Sequence, residues 1–296
     1  MPPRPTGGEL ELFPLEHYTV EKPPKFKDLG WHLWTEHKAK LIARYLREFV
    51  FVTRHGTYID LFSGPQNDQI EDGWSADQVL KMQPTKFKLR HYHLFELDES
   101  KIPALTGLRN AHPDLAIEVV HGNTNEAIRT ALPAGCLGGR EATFCLIDQR
   151  TTECHWETCV YLSRLKSEGY KPELFYFFAQ AWLNRALKSR TTDLSLEQTD
   201  AWWGGDGWKV LLTMDPLGRA QLLADRFTNE LGYKHATPWP IRERGDDGRV
   251  MFFMIHATDH DRAPRLMERA YHWAVNPHYD PDDEIQLELE LSSIKW

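Results

Sequence analysis

The sequence holds little cysteine and no pair of it spaced for a metal. Its cysteines are Cys136, Cys145, Cys154 and Cys159, and none forms a Cys-x-x-Cys pair. Cys145 sits inside the apolar run Phe144-Cys145-Leu146-Ile147, so reduced, buried thiols are expected rather than a zinc site or a disulfide framework. Long apolar runs are missing too, and no segment suffices to span a bilayer. Met1-Pro2-Pro3-Arg4-Pro5 has no hydrophobic stretch following basic residues, so no signal peptide is visible. A cytoplasmic protein is the expectation. Basic excess is also absent: 43 acidic against 35 basic residues give a formal net charge of −8. That disfavours a globally basic nucleic-acid binder, although a local basic groove stays open. No internal repeat or low-complexity tract occurs.

What the chain has is the material for a core. Hydrophobic residues make up 41% and aromatics 12% of 296 residues, which excludes a disordered polymer. Length alone leaves one large domain or two small ones open. Residues 1–30 are rich in Pro and Gly without a period and read as an irregular N-terminal arm. Over Trp31 to Val50, Leu33, His37, Leu41, Tyr45 and Phe49 fall at four-residue steps, which predicts an amphipathic helix. Its other side carries Lys38, Lys40, Arg44 and Arg47, expected as a solvated face.

Thr57 to Phe62 is rich in branched and aromatic residues and reads as a strand. Ser63-Gly64-Pro65 stops it, because glycine opens unusual backbone angles and proline cannot donate to a ladder. Further strands are expected at His91 to Glu96, Leu115 to Val120, Thr143 to Ile147 and Leu174 to Phe178. Helices are expected between them: Ser75 to Met82, Asp98 to Asn110, Glu126 to Leu132 and Trp156 to Glu168. Five strand–helix alternations indicate a mostly parallel sheet covered on both faces. From Ala181 to Asp215 the rhythm breaks, and Trp182, Trp202, Trp203 and Trp208 crowd a segment that reads as a lid or insertion, about 181–215. Leu217 to Leu231 is a helix stopped by Gly232. Tyr233 to Ile241 and Val250 to Ala257 form an antiparallel hairpin, Arg262 to Val275 a last helix, and 277–296 an acidic tail that could add a strand.

This ground plan resembles the Rossmann-like class I methyltransferase sandwich in one domain, a mostly parallel α/β sheet with a C-terminal antiparallel hairpin. Such sheets bind ligands beyond the carboxyl ends of their strands. In that fold the turn at Gly64 and Pro65 would let the backbone approach the amino-acid end of S-adenosylmethionine, with Asp60 near its ammonium. Glu96 would receive ribose hydroxyls, unless the neighbouring Asp98 is the acid that faces the ligand. Asn123 would meet the adenine amine or, with Thr124, cap the next helix. Asp148 would face the transferred methyl group and the acceptor as candidate catalytic residue. Each position also has a purely structural explanation in turns and caps; their joint placement at strand ends is what favours a ligand site.

Other constellations are weaker. His91 and His93 share a strand face but lack a third metal ligand, so no metal is expected. The donors from His256 to Asp261 read as a solvated loop. Cys154 and His155 are adjacent and diverge, which argues against a nucleophile pair. Arg185, Lys188 and Arg190, interleaved with tryptophans, have the make-up of a single-strand nucleic-acid groove or of a packed lid.

The residues Glu36-His37-Lys38, Tyr45-Leu46, Tyr58-Ile59-Asp60, Phe62, Gly64, Pro65, Gly73-Trp74-Ser75, Asp148, Trp203-Gly204 to Trp208 and Phe253 to His260 resemble the three-Cys-motif partner proteins. The likeness runs along nearly the whole chain, on motifs of moderate specificity. It implies the methyltransferase fold, Asp60, Phe62, Gly64 and Pro65 at the cofactor turn, and Glu96 at the ribose. It also implies a separate radical-SAM-like cysteine-motif protein as partner. Two positions depart from the family: Gln66 where another glycine is usual and Gln149 where proline is usual. A Pro-Cys dipeptide, needed by DNA cytosine-C5 methyltransferases, is absent, as is the Pro-Pro-aromatic motif of amino-methylating DNA enzymes. Three readings stay open: an S-adenosylmethionine-dependent methyltransferase of unnamed acceptor, a non-catalytic relative, and a nucleic-acid-binding module.

Overall fold

The structure, a computed structural model, describes residues 31–65, 74–81, 87–180, 183, 187–188, 192–242 and 249–275, with side chains for those between 38 and 274. The N-terminal arm, Gln66, Trp182, Arg185, Arg190 and the C-terminal tail lie outside the described residues.

Element order follows the alternation of the sequence: α1 (Trp31–Thr53), β1 (Thr57–Asp60), α2 (Ser75–Lys81), β2 (His91–Glu96), a 3-10 turn (Glu99–Lys101), α3 (Ile102–Ala111), β3 (Ala116–His121), α4 (Thr124–Ala131), β4 (Thr143–Ile147), α5 (Trp156–Ser163), β5 (Glu173–Phe178), α6 (Asp193–Trp203), a second 3-10 stretch (Asp206–Thr213), α7 (Pro216–Asn229), β6 (His235–Arg242), β7 (Val250–Thr258) and α8 (Ala263–Val275). The strands form one seven-stranded sheet ordered β3-β2-β1-β4-β5-β7-β6. The first five are mutually parallel, and β7 runs antiparallel to both β5 and β6. This is the Rossmann-like arrangement the sequence pattern predicts. Pro238 and Pro240 fall in β6, which is an edge strand where a missing N–H costs no ladder bond.

The two-residue period of a strand sends alternate side chains into two cores. Tyr58, Phe144, Leu146 and Phe175 join one core with residues of α1, α2, α3 and α8. Ile59, Cys145, Ile147 and Tyr176 join the other with residues of α4, α5, α6 and α7. Asp60 therefore shares the α1 face with Tyr58, and Asp148 shares it with Leu146. The tryptophan-rich segment belongs to the second core: Trp202, Trp203 and Trp208 are buried there, and Trp202 Nε1 donates to Tyr176 Oη at 2.8 Å. Those rings are packing groups, not open platforms for bases.

Four expectations need correction. The cationic side of α1 is only partly solvated: Lys38 and Arg44 are 1% and 2% exposed while Lys40 and Arg47 are half-buried, because α1 packs on the sheet with α2 and α8 on the same face. Arg44 pairs with Glu48 at 3.1 Å and sits over the Trp273 ring. His256 is not in a solvated loop but buried in β7, where its Nε2 lies 2.9 Å from Glu173 Oε2, a carboxylate that also accepts from Tyr45 Oη. Cys136 is exposed, whereas Cys145, Cys154 and Cys159 are buried. The first strand ends at Asp60 rather than Phe62, since the chain turns at Leu61 and Phe62.

Candidate functional site

A cavity of about 480 Å³ opens at the carboxyl ends of β1 to β4. That size lies within the range of small-molecule and cofactor sites. One wall is built by Glu96. Its Oε2 accepts from Gly64 N at 2.9 Å and its Oε1 accepts from Asp98 N at 2.8 Å. Two neutral backbone donors thus fix the carboxylate without cancelling its charge, and each oxygen retains a lone pair for a ligand hydroxyl. The contact explains the glycine. A Cβ on residue 64 would fall 2.1 Å from Glu96 Oε2 and 2.6 Å from Lys101 Cδ, so only glycine lets the turn and the acid meet. Ser63 supports this turn from inside, taking Phe95 O through its N–H and presenting its own carbonyl to Trp74 Nε1 at 2.7 Å.

Asp98 has a different task. It caps the 3-10 turn, with Oδ1 accepting from Ser100 N and Oγ, and those bonds hold its carboxyl below the usual range. Of the two acids it is Glu96 that faces Gly64. Asn123 lines the cavity and caps α4: its Oδ1 accepts from Asn125 N and Asn125 Nδ2, both at 3.1 Å. Its carbonyl is spent on local structure. Asn125 goes on to tie the α4 start to the loop after β4, donating to Glu153 O at 2.9 Å and accepting from His155 N at 2.8 Å.

Asp60 and Pro65 do not line the cavity, whereas Phe62 and Gly64 do. Asp60 is 1% exposed, with Oδ2 accepting from Tyr58 Oη at 2.9 Å and Oδ1 from Phe62 N at 3.1 Å. Burial pushes its carboxyl up to about 7, with nearby Asp148 adding to the rise. Near neutrality it is substantially protonated. Asp60 therefore supports the turn from beneath the cavity rather than from its wall.

Asp148 does reach the cavity wall, yet it is held. Lys38 Nζ lies 2.9 Å from Oδ1 and 2.7 Å from Oδ2. The ammonium is buried and stands 5.4 Å from the Phe177 ring centroid. Sequence reasoning missed Lys38 because its partner lies 110 residues away; the helical period alone placed it among solvated cations. Gln149, beyond Asp148, turns away from the cavity. It donates to Phe177 O at 3.3 Å and accepts from Cys154 N at 2.9 Å, pinning the loop that carries the next lining residues.

That loop supplies Arg150, Thr151, Thr152 and His155, and α6 adds Gln198. Gln198 belongs to the 181–215 segment, which thereby contributes one lining residue. Lys188 is exposed. Among the described residues no group of three metal-ligating side chains comes together, and His93 is instead bonded to Glu118 at 2.9 Å. No described helix is long and apolar enough to cross a membrane.

No protein-family model matches the chain, and no curated protein matches it. Solved structures with a similar course exist. TYW2 of M. jannaschii, determined in complex with AdoMet, aligns with a TM-score of 0.42 and 10% identity over 78% of each chain. The Escherichia coli protein yhhF, described as a candidate methyltransferase, gives a TM-score of 0.36 and 10% identity over 74% of this chain and 86% of that one. A candidate hemolysin of Streptococcus thermophilus gives 0.35 and 13% over 77% and 72%. Likenesses this distant decide nothing about the site, whose chemistry has to come from its own geometry.

Proposed function

We propose that the chain is an S-adenosylmethionine-dependent methyltransferase, with the acceptor bound beside the loop after β4. The observation that carries this reading is Glu96, fixed by Gly64 N and Asp98 N at the end of β2 in a sheet ordered β3-β2-β1-β4-β5-β7-β6. The residues present fit the cofactor. Glu96 has free lone pairs for vicinal hydroxyls, the Cβ-free turn at Gly64 allows close backbone approach, and Phe62 and Leu97 supply apolar wall. Asn123 and Asn125 line the same cavity.

S-adenosylmethionine supplies an electrophilic methyl group on a sulfonium. The chain's own part is to bind, align and exclude water, which is where most of the acceleration of such a transfer resides. The lining carries charge of both signs, Glu96, Asp98 and Glu153 with Lys101 and Arg150, as suits a ligand that bears both an ammonium and a carboxylate. Calorimetric titration with S-adenosylmethionine and S-adenosylhomocysteine tests the proposal; absence of heat and of protection at millimolar ligand would refute it.

A second reading, a relative that binds without turnover, draws on the Asp148–Lys38 pair, because an acid neutralised by an ammonium is poorly suited to accept a proton. Bound cofactor with no methyl transfer to nucleic-acid, protein or metabolite pools would favour it. The finer assignment to three-Cys-motif partner proteins, with a radical-SAM-like partner, is part of the first proposal and rests on the quoted motifs.

A further inference from the structure

If Asp148 is sealed by Lys38, a transfer to a protonated acceptor atom needs another proton sink. We propose that His155 is that general base, and that the acceptor presents a hydroxyl or amine N–H to the wall formed by residues 150–155. The inference rests on the methyltransferase reading and adds a residue and an acceptor class to it.

Three observations converge. His155 lines the cavity and is half-buried, while its ring nitrogens make no hydrogen bond to a described residue; its backbone N–H is the group that Asn125 Oδ1 receives. It stands at the N-cap of α5, with φ −67 and ψ 145, and makes no side-chain cap bond. The backbone is therefore fixed from two sides while the ring stays available. A position at a helix N-terminus also disfavours an imidazolium, because the unpaired N–H groups there are the positive end of the helix. Burial acts in the same direction, holding the ring below the ordinary 6.5, against a smaller opposing pull from Glu126 on α4. Glu153 and Glu157 flank it in sequence, Arg129 of α4 stands 3.7 Å from Glu157, Arg150 and Lys101 line the same cavity, and Gln198 of α6 is neutral. At neutral pH the imidazole is uncharged and able to accept.

The step balances without any further reactant. The acceptor's lone pair forms the new bond to carbon, and the carbon–sulfur electron pair stays on sulfur, leaving a neutral thioether. The acceptor's proton passes to a ring nitrogen of His155, and the resulting imidazolium returns it to water. Adjacent Cys154, buried and with its thiol pushed up chiefly by a hydrogen bond to Cys159 and by burial, takes no part.

The test uses histidine-labelled full-length protein, with His155→Gln to assign its ring resonances. The expected result is a ring that titrates below 6.5, the ordinary value, and whose resonances shift when S-adenosylhomocysteine saturates the protein. Incubation of labelled S-adenosylmethionine with pooled hydroxyl and amine compounds should show H155Q turnover lowered about 100-fold, with the S-adenosylhomocysteine dissociation constant close to wild type. A ring that titrates at or above the ordinary value, stays unmoved by bound ligand, or can be replaced without loss of turnover would overturn the assignment while leaving the methyltransferase reading standing. Failure of S-adenosylhomocysteine to bind would overturn both.

Discussion

Glu96 and Asp148 close β2 and β4, the two neighbours of β1 in the sheet, and both stand on the same cavity. Their surroundings differ in one respect. Glu96 is held by two backbone N–H groups, which orient it and leave its charge in place. Asp148 is held by the buried ammonium of Lys38, which orients it and cancels its charge. A carboxylate fixed by neutral dipoles can still attract hydroxyls, whereas one fixed by a cation has become part of the scaffold. Asp60, beneath the same cavity, shows a third outcome: with no cation in direct contact, burial leaves it largely protonated near neutrality.

The largest effect should come from breaking the sealed end. Lys38→Met takes the ammonium away from the buried Asp148 carboxylate, at a cost of about 3–5 kcal/mol. Chemical denaturation should show this loss, and Lys38→Met with Asp148→Leu should regain most of it. A single variant close to wild type in stability would mean that the pair is not buried as described.

Asp60 gives the next contrast, read through pH. Burial holds its carboxyl at about 7 in the fold against the ordinary 3.8. The folded chain thus keeps a proton that the unfolded chain has lost, so this stabilising contribution is present at low pH and fades as pH rises toward 7. Asp60→Asn cannot ionise and should flatten that slope by on the order of a few kcal/mol between the two values. Glu48, also raised by burial to about 7, slopes the same way in both proteins. The difference between variant and wild type therefore isolates Asp60, and parallel stability curves would contradict its assignment.

These two residues also show what the sequence could and could not tell. The strand ends at Glu96 and Asp148 were readable because apolar runs of strand length terminate there, and β2 and β4 fall where the residue pattern puts them. Gly64 was readable as a turn, but the reason it must be glycine, the approach of Glu96, is a contact between two strand ends. Lys38 was unreadable. A helical wheel has no term for a helix covered on both sides, and nothing local marks a lysine whose partner is 110 residues away. His155 failed differently: its neighbour Cys154 drew attention to a nucleophile pair, while its placement depends on Asn125 across the cavity wall.

The open end should respond through binding more than through stability. Gly64→Ala puts a methyl group where Glu96 Oε2 now sits, so the acid must move away from its two donors. An approximately 100-fold loss of S-adenosylhomocysteine affinity, about 2.7 kcal/mol, is expected at a modest cost in melting temperature. Unchanged affinity would separate Glu96 from the ligand.

Glu96→Gln is the mildest of these changes and the sharpest test of why Glu96 differs from Asp148. The amide keeps the shape but has one accepting oxygen, so it can serve Gly64 N or Asp98 N and must turn its NH2 toward the other donor. The loop should loosen by about 1 kcal/mol, and affinity should fall about tenfold, less than in Gly64→Ala because the cavity's shape survives. Asp148→Asn, by contrast, should leave affinity nearly intact while destabilising the fold, since it strips the buried Lys38 of its counter-charge. If the two substitutions instead produced the same ratio of binding loss to stability loss, the distinction between a carboxylate fixed by dipoles and one fixed by a cation would not govern this site.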